Sequence, residues 1–119
     1  MTLFRYLANL RNMNQVFKAL SDPTRRRVLQ LLRKGPMSAG ALSDQFEVSK
    51  PTMSAHFSVL READLIDSTK QGTSIVYRLK LSVLEDSLLG FAQLFGIKSH
   101  SPIHRLEGEA ESPRKKDKR

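Results

Sequence analysis

The 119-residue chain has no cysteine and no tryptophan, and its acidic side chains are outnumbered, twelve against twenty Lys and Arg. Without cysteine there can be no disulfide, no thiolate metal ligand and no thiol nucleophile. No apolar run approaches the roughly 18 residues that a membrane-spanning helix needs, so membrane insertion is not expected. The first ten residues hold Arg5 and Asn9 in a broken apolar pattern, which does not fit a secretory signal. A cytoplasmic protein is therefore expected. A Gly-rich phosphate loop, a paired-carboxylate pattern and a histidine cluster are also missing, so no enzyme class is indicated.

What is present is basic charge. The formal net charge is +8, and residues 1–97 carry most of it, with thirteen basic against eight acidic side chains. Such a surface fits a polyanionic partner, because neutralising phosphates supplies most non-specific affinity for nucleic acid. A basic but inert surface is the plainer alternative. The length allows one domain with a modest core, expected over residues 1–97. Residues 98–119 are rich in charge and poor in apolar side chains, and a disordered basic tail is expected there.

The apolar spacing predicts a mainly helical domain. Leu3, Phe4, Leu7 and Leu10 form a stripe over residues 2–11, and Val16, Phe17 and Leu20 a second short helix from Asn14. A new helix is expected at Asp22-Pro23, with Asp22 as cap, Pro23 in the first turn and Val28, Leu29, Leu31 and Leu32 inward. Gly35-Pro36 ends it. Ser38 is placed to cap a short helix with Leu42 and Phe46 inward, and about three residues then lead to the segment Val48–Leu60 (VSKPTMSAHFSVL). Ser49 can cap that helix, Pro51 suits its first turn, and Met53, Phe57 and Leu60 recur at helical spacing. Two helices joined this tightly form a helix-turn-helix. The other face of the second helix offers Lys50, Thr52, Ser54, Ala55 and Ser58, short polar groups suited to base edges in a major groove.

Beyond Leu60 the pattern changes. Residues 65–70 and 75–79 are β-prone and flank Gln71-Gly72-Thr73-Ser74, which predicts a hairpin with a four-residue tip and Lys70 beside it. A last helix over residues 82–96 carries Val83, Leu84, Leu88, Leu89, Phe91, Leu94 and Phe95, more apolar surface than one small core can cover.

A helix-turn-helix followed by a basic hairpin is the winged helix-turn-helix arrangement. The stretch Phe17–Arg26 (FKALSDPTRR), the recognition segment from Val48, and Lys70-Gln71-Gly72 with Tyr77-Arg78-Leu79 together resemble the ArsR/SmtB family of bacterial repressors over residues 12–97. Within it the chain looks most like an autorepressor subgroup without metal sites. The resemblance implies a sequence-specific repressor of double-stranded DNA, acting as a homodimer on a pseudo-palindromic operator. It also implies pairing of the first and last helices across a two-fold axis. The stripe Leu3, Phe4, Leu7, Leu10 and the residues Leu84, Leu88, Phe91 and Phe95 are the expected interface. Packing of both helices on their own subunit is the alternative.

The expected DNA contacts follow residue by residue. Ser49 offers its hydroxyl or backbone N–H to a phosphate, as does Ser38 one helix earlier. Lys50, Thr52, Ser54 and Ser58 are candidates for base edges or adjacent phosphates, with Lys50 favouring guanine acceptors. Arg61 reaches for the backbone, and Lys70, Gln71, Thr73 and Ser74 for the minor groove or flanking phosphates. His56 has two readings, a phosphate contact or a structural hydrogen bond beneath the helix, and the second is favoured. Arg25, Arg26 and Arg27 read as a solvated face or a network with Asp22, not as DNA contacts.

Many members of this family sense metals. Matching the motifs without gaps puts the family's ligand positions at Ser38, Gly40, Leu81, Val83, Leu94 and Ile97, which lack thiolate, imidazole and carboxylate donors. Pro102 disfavours a helix that would bring His100 and His104 together. No metal and no other cofactor is expected, and a protein partner is one candidate for the signal that relieves repression.

Overall fold

A computed structural model of the chain describes residues 2–97, and for residues 2 and 4–10 the helical backbone alone. The side chains of Phe4, Leu7 and Leu10 and the whole tail, with His100 and His104, lie outside the described residues. The elements in order are α1 (Thr2–Leu20), α2 (Pro23–Leu32), β1 (Met37–Ser38), α3 (Ala39–Ser43), α4 (Lys50–Glu62), β2 (Ile66–Gln71), β3 (Ser74–Leu79) and α5 (Leu81–Leu94). The three strands form one antiparallel sheet in the order β1-β3-β2.

Three expectations are corrected. The two expected N-terminal helices are one, because the stripe continues without a phase break through the buried Met13, Val16 and Ala19. Burying those side chains outweighs the few tenths of a kcal/mol by which each nearby Asn disfavours helix. The link from α3 to α4 runs over residues 44–49, twice the expected length, since the helix hydrogen bonding of α3 gives way to turns ending at Phe46. The hairpin tip is also tighter than expected. Gln71 pairs with Ser74, so only Gly72 and Thr73 form the loop. Gly72 sits at φ 63°, the left-handed value that favours glycine at the first loop position of a type II′ turn.

Of the described residues, those up to Leu88 form one compact unit and those from Leu89 a second. The core of the first gathers Val16 and Ala19 from α1, Val28, Leu29, Leu31 and Leu32 from α2, Leu42 from α3, Met53, Phe57 and Leu60 from α4, and Tyr77 from β3. Val83 and Leu84 lean on this core from α5, while Leu88 stays exposed. In the second unit Leu89, Phe91, Leu94 and Phe95 are exposed, with the Phe91 and Phe95 rings edge to face at 5.1 Å.

Candidate nucleic-acid interface

Each helix of the helix-turn-helix starts on a serine. Ser38 accepts the Ala41 N–H at 3.1 Å and caps α3. Ser49 accepts the Thr52 N–H at 3.3 Å and donates its own proton to Thr52 Oγ1 at 2.9 Å. A cap of this kind contributes about 1 kcal/mol and fixes where the helix begins. It also changes the expected role of Ser49. With its hydroxyl used on both sides, what it can offer a phosphate is the backbone N–H, while the Thr52 hydroxyl keeps its proton to donate outward.

Along α4 the buried side is Met53, Phe57 and Leu60, as the apolar spacing predicts. Lys50, Ser54, Ser58 and Arg61 are all exposed and spaced i, i+4, i+8 and i+11, so they share one continuous strip along the helix. Thr52 is exposed too but two residues out of phase with Lys50, which turns it to the opposite flank, next to His56. Ser58 and Arg61, with Glu62, line a shallow depression at the far end of the strip. The expected base-reading set thus divides into one strip of four and a separate Thr52.

The wing is tied to this helix. The Phe57 and Tyr77 rings stack at 4.7 Å between centroids, joining α4 to β3. Leu65 N–H donates to Leu60 O and Lys80 N–H to Leu65 O, fastening the sheet base to the end of α4. Between them Asp64 takes φ 62° and accepts the Lys80 Nζ at 2.7 Å. That hydrogen bond, against some desolvation and helped by the carboxylates of Asp64 and Asp67, raises the Lys80 pKa above 10.5. At the opposite end of the hairpin, Lys70, Gln71, Thr73 and Ser74 are all exposed. Sequence reasoning passed over Ile75, which is 44% exposed and pairs with Lys70 across the strands. It also passed over Arg78, whose Nη1 donates to Thr69 Oγ1 at 3.0 Å and braces the hairpin. The two-residue alternation carries the first signal, since residue 75 lies beyond the reach of the core that covers residue 77.

The three arginines of α2 have separate tasks. Arg26 donates to Leu20 O at 2.7 Å and Arg27 to Gln30 Oε1 at 3.3 Å. Arg25 donates from Nε to Ala19 O, from Nη2 to Lys18 O and from Nη1 to His56 Nδ1, at 2.8, 3.0 and 3.1 Å. Asp22 caps α2 by accepting the Arg25 N–H at 3.1 Å, and its carboxylate lies 3.9 Å from His56 Nε2. Burial pushes the Asp22 pKa up. The Arg25 N–H bond, the neighbouring His56 and Arg25 side chains and the Thr24 N–H outweigh it, and the value falls below 3.8. His56 therefore takes the structural role, within a joint of three helices.

A capped helix exposed along one strip, a short helix packed before it and a hairpin wing after it define a winged helix-turn-helix, a class of DNA-binding domain. Residues 20–69 match the family model of a helix-turn-helix domain. The chain is 47% identical over 76 residues to the transcriptional repressor SdpR of Bacillus subtilis, covering 64% of this chain and 84% of that protein. A crystal structure of an ArsR-family transcriptional regulator superposes with a TM-score of 0.62 at 28% identity, over 75% of this chain and 95% of the other. A homodimeric winged helix-turn-helix DNA-binding domain from Mycobacterium bovis shares the fold, with a TM-score of 0.61 at 24% identity over 76% and 88% of the two chains. The protein belongs to the ArsR family of winged helix-turn-helix transcriptional repressors.

Proposed function

We propose that the chain is a metal-independent, sequence-specific repressor that acts in the cytoplasm as a homodimer on a pseudo-palindromic operator. The observation that carries this reading is the exposed strip of Lys50, Ser54, Ser58 and Arg61 on a capped helix, held beside a wing with Lys70 near its tip. Lys50 and the hydroxyls meet base edges and the adjacent phosphates; Arg61, Lys70, the Ser49 backbone and Ser38 hold the phosphate chain in register. The wing residues Gln71, Thr73 and Ser74 follow the flanking groove. Function here is binding, with no catalytic step.

Pairing of two copies is supported by the apolar surface of α5. Leu84, Leu88, Phe91 and Phe95 recur at helical spacing, and the last three are exposed, as are Leu89 and Leu94. Leu3 on α1 is 68% exposed. A two-fold interface would cover these side chains and set two recognition helices one turn of DNA apart. Metal independence rests on donor chemistry. The positions that the family resemblance assigns to ligands hold Ser, Gly, Leu, Val and Ile, none of which binds a transition metal well. Relief of repression then falls to another signal: a protein partner, a small ligand at the dimer interface, or concentration alone.

Selection of bound fragments from a genomic library tests the proposal. It is expected to return a pseudo-palindrome with half-site centres about 10–10.5 base pairs apart. Failure to enrich any fragment over random duplex would sink it. Zinc at stoichiometric concentration is expected to leave both affinity and melting temperature unchanged, and a saturable shift would remove the metal-independent part.

A further inference from the structure

The rotation of α4 about its own axis decides which side chains it presents outward. Met53, Phe57 and Leu60 anchor the helix by burial, and burial is non-directional. A directional contact adds to such burial a further resistance to turning about the helix axis. Turning matters for a reading helix. At a tip radius of about 5–6 Å, a rotation of roughly 10° moves a side chain by about 1 Å, enough to take a hydrogen bond out of range.

Toward the wing, the Phe57–Tyr77 ring pair and the Leu65 N–H to Leu60 O bond oppose such rotation; toward α1 and α2 the directional contact is a side-chain hydrogen bond. Among the described residues, His56 supplies the only side-chain hydrogen bond from α4 to another helix, accepted at Nδ1 from Arg25 Nη1 at 3.1 Å. A guanidinium has donors only, so Nδ1 carries no proton and the ring proton sits on Nε2, toward Asp22. The arginine is itself immobilised. Its other two nitrogens donate to Ala19 O and Lys18 O, carbonyls in the last turn of α1 that have no partner within that helix. The negative end of the α1 dipole favours a cation there. Asp22, one turn away, is fixed by its capping bond. His56 is thus held by a group referenced to the ends of α1 and α2, and its side chain is only 14% exposed.

We propose that Arg25 and His56 are positioning residues for DNA reading: their hydrogen bond sets the rotation of α4 and so aligns the strip Lys50, Ser54, Ser58 and Arg61 with the bases. This rests on the DNA-reading role of α4 proposed above. Neither residue touches DNA. Breaking the bond lowers discrimination between sequences, while phosphate contacts and their salt dependence stay as they were.

The test measures the full-length protein on the selected operator and on a scrambled duplex of equal length, well below the melting temperature. The readout is the ratio of the two dissociation constants, which does not depend on the fraction of protein that is folded. His56→Leu removes the acceptor, and Arg25→Gln shortens the donor while leaving α4 unaltered. Each is expected to lower the ratio by about tenfold, the scale of one good base contact, with the salt slope unchanged. His56→Asn places an oxygen where Nδ1 stood and is expected to keep the ratio within about threefold of wild type. If either of the two variants that fold keeps the wild-type ratio, the proposal is overturned, and equally so if His56→Asn loses as much as His56→Leu. A fall in the salt slope would contradict it as well, because that marks a direct phosphate contact. A wild-type protein with no preference for the operator would instead overturn the function proposed for α4.

Discussion

Phe57 on the recognition helix and Tyr77 on the returning strand of the wing pack ring against ring, 4.7 Å apart and inclined at 37°. The pair joins α4 to the wing, so that in the proposed complex a wing seated on phosphates would help to fix where α4 lies in the groove. Both residues are nearly fully buried. Phe57→Ala leaves a cavity and an unpaired ring, and is expected to cost about 3–5 kcal/mol. Thermal unfolding followed by circular dichroism checks this. A cost below about 1 kcal/mol would show that the two elements do not depend on this contact.

The basic residues divide by role. Lys50→Ala is expected to relax sequence preference, because Lys50 lies on the strip proposed to face the bases. Lys70→Ala is expected to weaken all duplexes alike and to lower the salt slope by about one. Equilibrium titrations at several salt concentrations, on matched and mismatched duplexes, separate the two. Equal effects from both substitutions would remove the distinction.

Asp22 links stability to pH. Its folded-state pKa lies below the unfolded value, so the ionised carboxylate stabilises the fold above about pH 4 and that stabilisation is lost as pH falls through the lower, folded value. Asp22→Asn keeps a capping oxygen but loses the charge. The wild type is therefore expected to melt above Asp22→Asn at neutral pH, with the gap closing in acid. A gap that is constant down to pH 3 would contradict the assignment.

Much of this arrangement was legible in the sequence because its chemistry is local. Ser49 and Pro51 mark the start of α4, and Met53, Phe57 and Leu60 mark its buried side, without reference to any other part of the chain. The same holds for Asp22 and Pro23 at the start of α2. Local signals misled at residues 12–14, between the stripe over residues 2–11 and the second helix expected from Asn14, although the buried side continues through Met13. They were silent on β1, two residues whose pairing with Val76 and Tyr77 spans some forty positions of chain. They also could not separate Arg25 from Arg26 and Arg27, three identical neighbours. What distinguishes Arg25 is that the packing of α1, α2 and α4 brings His56 and two carbonyls of the last turn of α1 within its reach.

Sequence reading by α4 is tested most directly by the ratio of dissociation constants for the selected operator and a scrambled duplex at about 0.15 M salt. A ratio of about 1,000 or more is predicted, the lower end of the range for specific DNA-binding proteins. A ratio near one would contradict the claim, leaving a basic domain that binds DNA through its phosphates alone.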